Sequence, residues 1–156
     1  MKIELQKETS KNTKGTILIF TEGTILGPGK WYNHFNHKKY IPIKNSVNVI
    51  AWLNSDGWDI QYLTSLKEKN VKDIVNILTG YKFIGSYIHY RGRNENYKKI
   101  TEDIMPKYII EDDCRSIGGK WQMTYTYISP EIKKKIKQIT VKEFSGIEDI
   151  IEQICP

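Results

Sequence analysis

The stretch that decides the fold is Thr16-Ile17-Leu18-Ile19-Phe20, followed at once by the polar turn Thr21-Glu22-Gly23-Thr24. The run carries no charge and consists mostly of β-branched and aromatic residues, which is typical of a strand buried on both faces of a parallel sheet. In open α/β sheets, ligands bind beyond the carboxyl ends of the strands. The polar turn is therefore where a functional site is expected.

Strands and helices are predicted to alternate after this first strand. Strands are predicted at 58–63, 87–90 and 108–111, and helices at 43–54, 71–78 and 97–105. A helix at 130–137, a strand at 139–144 and a terminal helix at 146–154 are predicted to complete the chain. Such alternation predicts an α/β fold with a doubly wound, Rossmann-like parallel sheet. No linker or repeat interrupts it, so residues 1–156 are predicted to form one domain.

Composition narrows the class of protein. The chain has 156 residues, 39% of them hydrophobic and 27% charged, which excludes a disordered or fibrous protein. No apolar run reaches the roughly 18 residues of a membrane span, and residues 1–14 lack the apolar stretch of a signal peptide. We therefore expect a cytoplasmic protein that does not enter a membrane. The sequence does not indicate an oligomeric state.

Charge and cysteine content restrict the partners. The net charge of +6 suits an anionic ligand or a nucleic acid, but the lysines are spread along the chain and select neither. Cys114 and Cys155 have no CxxC partner, so neither a zinc site nor a disulfide framework is expected.

Polar residues follow the predicted strands at the points where each strand ends. Glu22 follows the first strand, Thr64 and Ser65 follow the second, and an acidic run follows the strand at 108–111. Lys98 lies in the helix before that last strand. The acidic run consists of Glu111, Asp112 and Asp113.

The order of these groups resembles the haloacid dehalogenase-like (HAD) hydrolase superfamily. In that family the first strand ends in Asp-x-Asp-Gly-Thr, the second in Thr or Ser, a Lys precedes the last strand, and an acidic pair follows it. The resemblance covers residues 16 to 115. It implies a HAD-like core that hydrolyses a phosphomonoester with the help of Mg²⁺, acting on a phosphorylated small molecule or nucleotide.

The resemblance also implies roles for individual residues. Catalytic roles fall to Glu22, to Thr64 as a hydrogen-bond donor to a phosphate oxygen and to Lys98 as the neutralising cation; metal ligation falls to Asp112, Asp113 and Glu22, and substrate binding to Thr21, Gly23 and Ser65. Arg91 joins the substrate-binding residues because it follows the third predicted strand, where it could hold a phosphate. Simpler roles stay open beside these: the acidic pair as a turn, Thr64 and Ser65 as a helix cap, and Arg91 in a polar loop.

The first motif departs from the family pattern at its most important position. Phe20 stands where the family has its nucleophilic aspartate, and Glu22 stands where the second aspartate belongs. Phenylalanine cannot attack phosphorus or bind a metal ion. Covalent catalysis is thereby in doubt, whereas direct attack by a water molecule, activated by Glu22 or by a metal ion, remains open.

Residues 27–42 form a short insertion where the superfamily places a cap over the site. The insertion is rich in aromatic residues and histidines: Trp31, Tyr32, His34, Phe35, His37 and Tyr40. Packing onto the domain, stacking against the bases of a nucleotide or single strand, and a metal site at the two histidines are the three interpretations. A minimal cap of this length would leave the site open to a sizeable substrate.

Three functions remain in view. The first is a phosphohydrolase that works without the usual aspartate. The second is a catalytically inactive HAD-like pseudoenzyme that binds a ligand or partner, with Phe20 filling the nucleophile position. The third is a basic nucleic-acid-binding domain, which would show strong salt dependence of binding.

Overall fold

The computed structural model describes residues 1–5 and 14–155. Its strands are β1 (Lys2–Glu4), β2 (Gly15–Phe20), β3 (Leu26–Gly27), β4 (Ile41–Pro42), β5 (Trp58–Leu63), β6 (Tyr87–His89), β7 (Tyr108–Asp112) and β8 (Lys137–Val141). Its helices are α1 (Ser46–Ser55), α2 (Val71–Gly80), α3 (Tyr97–Ile104), α4 (Pro130–Lys133) and α5 (Ile150–Ile154). None of the helices in the described part of the chain has the length and apolarity that crossing a bilayer requires.

The predicted α/β class is confirmed, with one addition to the sheet. In the described residues, six strands form the main sheet in the order β1-β6-β5-β2-β7-β8. Within this sheet β6, β5, β2, β7 and β8 pair in parallel, whereas β1 pairs antiparallel with β6 at the edge. The sheet is therefore mostly parallel. Sequence reasoning missed β1 because three residues are too few to show a strand pattern, and residues 6–13 of the expected polar lead-in lie outside the described part of the chain.

Helices cover both faces of the main sheet. Since successive residues of β2 point to opposite faces, this strand contributes to the core on each side. Ile17 and Ile19 belong to a large core cluster that also contains buried residues of α1, α2 and α5. Leu18 belongs to a smaller cluster with Ile100 of α3. The middle of the uncharged run, Ile17 to Ile19, is thus buried on both sides, as predicted.

Strand β2 is the topological switch point of the sheet, because later strands are added first on one side of it and then on the other. After β2 the chain adds β5 and β6 on one side, then crosses to add β7 and β8 on the other. Because these strands are parallel, their carboxyl ends meet at one edge of the sheet. This topology brings the segments that follow β2, β7 and β8 together.

Residues 26–42 form a small ribbon beside the main sheet. Strands β3 and β4 pair antiparallel, with Leu26 opposite Pro42 and Gly27 opposite Ile41. Between them lie two short 3₁₀ turns, Trp31–Asn33 and His37–Lys39. The insertion expected at 27–42 thus has structure of its own.

The prediction for the last third was wrong at its boundaries. The helix predicted at 130–137 ends at Lys133, and the strand predicted at 139–144 is β8, which ends at Val141. The terminal helix begins only at Ile150. The shift has a consequence for the site, because it places Glu143 just beyond a strand end rather than within a strand.

Candidate active site

A cavity of about 350 Å³ lies at the carboxyl edge of the main sheet. Its lining residues come from the ends of all five parallel strands and the segments that follow them, from the ribbon and from α3. They include Phe20, Glu22, Gly23, His34, Tyr40, Ser65, Arg91, Tyr97, Asp112, Cys114, Ile117, Gln122, Glu143 and Phe144. We call it the acidic cavity.

The acidic cavity takes its name from a group of carboxylates, of which Asp112 and Glu143 line it and Asp113 lies beside them outside the lining. Asp112, Asp113 and Glu143 each offer an oxygen, and these atoms all lie within 4.8 Å of one another. Asp112 and Asp113 were predicted as metal ligands from the sequence, whereas Glu143 was not. Glu22, the third predicted ligand, lines the same cavity but is not part of this group. An all-oxygen set of this kind could hold a hard divalent ion such as Mg²⁺.

Asp112 is held on three sides. Its amide N–H donates to Thr24 Oγ1 at 3.1 Å, and the Thr24 hydroxyl donates to Asp112 Oδ1 at 3.3 Å. The Cys114 amide donates to Asp112 Oδ2 at 3.0 Å. Gly23, with a φ of 83°, approaches so closely that a Cβ there would lie 2.8 Å from Oδ1. The glycine of the first motif, predicted from the sequence to bind substrate, therefore provides a close approach of the backbone to this carboxylate.

Backbone donors orient the other two members of the group. The amides of Arg115 and Glu143 both donate to Asp113 Oδ1, at 3.3 and 3.2 Å. The Glu143 carboxylate in turn accepts from the Ser116 amide at 2.9 Å and from the Ser116 hydroxyl at 2.7 Å. These bonds tie the loops after β7 and β8 to each other and fix the positions of both carboxylates.

Glu22 has its own set of donors. The Thr21 hydroxyl donates to Oε2 at 2.6 Å, the Ser65 amide donates to Oε2 at 3.2 Å, and the Thr64 hydroxyl donates to Oε1. Thr64 is fully buried, and its hydroxyl also accepts from the Leu66 amide at 3.1 Å. Thr64, which was predicted to bind phosphate, therefore uses its hydroxyl in hydrogen bonds to Glu22 and to the next turn of the chain.

The positive charge in the cavity wall comes from Arg91 and not from Lys98, the residue predicted for that role. Among the described residues lining the acidic cavity, Arg91 is the only lysine or arginine. Its guanidinium lies 4.4 Å from the centre of the Tyr97 ring. Lys98 does not line the cavity, and its charge instead helps to lower the pKa of Glu102 one turn along α3, behind the stronger effect of hydrogen bonds from Ser129.

The electrostatics of the cavity favour a bound cation. Burial raises the pKa of Asp112, with a smaller contribution from the charge of Glu143, against the opposing effect of the Cys114 and Thr24 hydrogen bonds. Burial, followed by the charges of Asp112 and its acidic neighbours, raises the pKa of the Cys114 thiol to about 12. The hydrogen bonds to Asp112 thus do not fully offset the cost of burying its charge. The neighbouring thiol stays protonated and is a poor nucleophile.

Phe20 occupies the wall of the cavity at the position where the resemblance placed a nucleophile. The side chain is half-buried and meets the Tyr97 ring edge to face, with ring centroids 5.4 Å apart. The ring contributes an apolar surface beside the carboxylates.

Glu111 belongs to the same acidic run in the sequence but has a structural role. It is buried and accepts from the amides of Thr124 and Tyr125 at 2.8 and 2.9 Å and from Gln138 Nε2 at 3.3 Å. Burial raises its pKa, and these hydrogen bonds oppose that rise. Glu111 therefore anchors the 3₁₀ turns of residues 115–127, which include part of the cavity wall.

The aromatic insertion divides between buried and exposed residues. Tyr40 is buried and donates to the His34 carbonyl at 2.8 Å, which fits the packing interpretation. Trp31, Tyr32 and Phe35 are exposed, so packing does not account for them. His37 pairs with Asp73 of α2 at 3.0 Å, whereas His34 lines the acidic cavity. The two histidines thus face different partners and do not form a shared metal site.

Sequence reasoning missed Glu143 because its strand was predicted to run too far. A strand ending at Val141 would have placed Lys142 and Glu143 in the same position, just past a strand end, as Glu22 and Asp113. The missed signal was the charged pair Lys142-Glu143, which interrupts the alternation of polar and apolar residues in β8.

Neither a family model nor a curated protein matches this chain. Solved structures do. A chain in the structure of the Pnkp1/Rnl/Hen1 RNA repair complex is 10% identical over 90% of this chain and 46% of that one, with a TM-score of 0.56. A chain in a second structure of the Pnkp1/Rnl/Hen1 complex is also 10% identical, over 89% and 52%, with a TM-score of 0.53. This chain spans about half the length of those chains, and the likeness is one of fold.

Proposed function

We propose that this chain is a HAD-like, Mg²⁺-dependent phosphohydrolase that cleaves phosphomonoesters by direct attack of water rather than through a phosphorylated aspartate. The observation that carries the proposal is the group of Asp112, Asp113 and Glu143 at the carboxyl edge beside the central strand, two of which, Asp112 and Glu143, line the same cavity as Arg91. Negative ligands, a metal ion and a guanidinium at one site are the ingredients of phosphoryl transfer.

The strand order supports a Rossmann-like core. Counted along the chain, the parallel strands lie in the order third, second, first, fourth and fifth, which is the order of Rossmann-type sheets. The polar groups of the HAD-like motifs after β2, β5 and β7 all lie at one edge of this sheet. The fold likeness to chains in an RNA repair complex is consistent with phosphate chemistry but does not itself assign it.

The residues present fit a divalent cation. Three carboxylates of two neighbouring loops converge, and the raised pKa of Asp112 indicates that its charge lacks compensation. Mg²⁺ held by Asp112, Asp113 and Glu143 would neutralise charge on the phosphoryl group. Arg91 offers a planar set of N–H donors that suits the phosphoryl oxygens.

Glu22 is the base in this proposal. Water forms the new bond to phosphorus, the ester P–O bond breaks, Glu22 accepts a proton from the water, and the leaving oxygen takes a proton from solvent. The donors from Thr21, Thr64 and Ser65 hold the Glu22 carboxylate at the cavity wall. General base catalysis of this type contributes about 100-fold to 10,000-fold to the rate.

Two observations favour a second candidate, a HAD-like binding module without activity. Phe20 fills the nucleophile position with an apolar ring, and the thiol of Cys114 has a pKa near 12. In that case the cavity would retain the cation and the phosphate but not the turnover.

The test is hydrolysis of a panel of phosphomonoesters with and without Mg²⁺, together with thermal melts in the same solutions. The variants are Asp112→Asn and Glu22→Gln. Asp103→Asn is the matched control, because Asp103 is an exposed carboxylate on α3 whose partner is Lys99 at 2.6 Å.

The phosphohydrolase proposal requires Mg²⁺-dependent turnover that is lost in both variants and kept in Asp103→Asn. Stabilisation by Mg²⁺ that disappears in Asp112→Asn, with no turnover on any ester, would favour the binding module. Activity gained by Phe20→Asp would add to that case. Mg²⁺ that neither stabilises the protein nor supports turnover would overturn both assignments.

A further inference from the structure

A second cavity of about 380 Å³ adjoins the acidic cavity. The two share His34 and Phe144 in their walls, and these rings meet edge to face with centroids 5.7 Å apart. A ligand with a phosphate in the acidic cavity would therefore have its next group within reach of the second one. We call the second cavity the ribbon cavity, since residues 27–31 and 41–44 form most of its wall.

The ribbon cavity has a chemistry unlike that of its neighbour. Its described lining residues include no carboxylate; they combine the rings of Trp31, His34 and Phe144 with the ammonium groups of Lys30 and Lys44. Lys44 has Glu148 at 4.0 Å, an exposed pair that competes weakly for its charge. Flat rings beside cations suit a nucleobase and the phosphates that adjoin it.

The rings around the ribbon cavity are not used by the core. Trp31 is 87% exposed, Phe35 is 96% exposed and Tyr32 is 60% exposed. Trp31 contacts Tyr32 edge to face at 5.9 Å, and Lys30 Nζ lies 5.7 Å from the Tyr32 ring centre. Clustered rings left in solvent, with a lysine beside them, are typical of a stacking surface for single-stranded nucleic acid.

The wall formed by residues 115–122 has a similar composition. Ile117 and Gln122 line the acidic cavity, and Trp121, beside Gln122, is 62% exposed. Lys120 Nζ lies 4.9 Å from the centre of the Trp121 ring. Two segments that carry exposed rings and lysines thus contribute to the surroundings of one acidic cavity.

From these observations we infer that the two cavities together bind the phosphorylated end of a single-stranded nucleic acid. The terminal phosphate lies in the acidic cavity, and the base of the terminal nucleotide stacks on Trp31 in the ribbon cavity. Beyond the terminal nucleotide, the sugar–phosphate backbone of the strand runs along the exposed lysines of the ribbon cavity, Lys30 and Lys44. Only the place of the phosphate rests on the proposed function; the stacking surface stands on its own residues.

The experiment measures binding by fluorescence anisotropy of labelled single strands of about 12 nucleotides, a length within the site sizes of such proteins. Strands with a 5′-phosphate, a 3′-phosphate or neither are compared in Mg²⁺. The protein carries Glu22→Gln, so that the strand is not consumed. Trp31→Ala is the test variant, and Trp52→Ala is the matched control, since Trp52 is an exposed tryptophan on α1 that lines neither cavity.

We expect one phosphorylated strand to bind more tightly than the strand without phosphate. Trp31→Ala should weaken its binding by about 5-fold to 150-fold, the range for loss of one base–aromatic stack. Trp52→Ala should leave the affinity unchanged. Lys30→Ala should lower the salt slope by about one, whereas Lys135→Ala, at an exposed lysine outside both cavities, should not change it.

Three results would each overturn the inference. Equal affinities of Trp31→Ala and Trp52→Ala would remove the stacking site. Equal affinity for strands with and without a terminal phosphate would show that the acidic cavity takes no part in binding the strand. A nucleoside monophosphate that competes as tightly as the strand would exclude a polynucleotide. Failure of the phosphohydrolase proposal is distinguishable, because anisotropy does not depend on turnover and hydrolysis of small esters does not depend on Trp31.

Discussion

Replacing Gly23 by alanine tests the packing of the first motif against the acidic group. Gly23 has a φ of 83°, and a Cβ there would lie 2.8 Å from Oδ1 and 3.1 Å from Oδ2 of Asp112. The left-handed backbone costs a residue other than glycine about 1 to 2 kcal/mol. Relief of the contact requires Asp112 to move and to lose a hydrogen bond from Thr24 or Cys114. Such a bond to a charged group stabilises by about 1.5 to 3 kcal/mol.

Gly23→Ala is therefore expected to lower the free energy of unfolding by about 2.5 to 5 kcal/mol. For a chain of this length each 1 kcal/mol changes Tm by about 2 to 4 °C, so Tm should fall by roughly 5 to 20 °C. The matched control is Gly119→Ala. Gly119 has a φ of 71°, and no atom lies within 4 Å of its Cβ position.

Thermal melts and urea unfolding of both variants, without a divalent ion, separate the two costs. Gly119→Ala should show the backbone cost alone, about 1 to 2 kcal/mol. A loss in Gly23→Ala no larger than the loss in Gly119→Ala would refute the reasoning. It would mean that the Asp112 carboxylate does not pack against this backbone.

The other predictions concern buried ionisable groups. The pKa of Asp112 is raised above its usual 3.8, so the stability that this carboxyl contributes to the metal-free protein should be lost as pH rises through the raised pKa; in urea unfolding from pH 4 to 8, wild type should lose stability relative to Asp112→Asn over this rise, and a constant difference between the two would contradict it. Burial lowers the pKa of His89 to about 4, so the contribution of this side chain to stability should fall as pH drops from 6.5 towards 4; wild type should therefore lose stability relative to His89→Gln over this drop, and parallel curves would contradict this. Glu111→Ala leaves the buried amide of Thr124 and the partly buried amide of Tyr125 without their acceptor, at about 1 to 3 kcal/mol for the buried one; limited proteolysis should cut residues 115–127 faster, and an unchanged cleavage rate would argue against the anchor.

The fold was predictable where the pattern was long and the burial complete. The middle of the run, Ile17 to Ile19, is buried on both faces, and its prediction as a strand of a parallel sheet was right. The helices at 71–78 and 97–105 were also predicted within two residues of α2 and α3. Strand β1 and the boundaries after residue 130 were missed because short elements depend on their neighbours more than on their own pattern.

The candidate site was predictable only as far as strand ends could be located. Asp112 was recognised because it follows a run of buried residues, and the rule on carboxyl edges then placed it at the site. Lys98 was chosen from its position in the chain, but a helix presents each residue to a different side. Its charge consequently acts on Glu102, while Arg91 lines the cavity.

By itself, the sequence determined the α/β class, the central strand and the edge at which polar groups collect, because these depend on hydrophobic pattern and chain order. It also fixed the presence of Phe20 in the first motif. Only the tertiary structure decided which carboxylates meet. Asp113 and Glu143 are 30 residues apart, and they are brought together by the pairing of β7 with β8 and by the amide of Glu143 donating to Asp113. Distances of this kind depend on register and loop conformation, which no local pattern encodes.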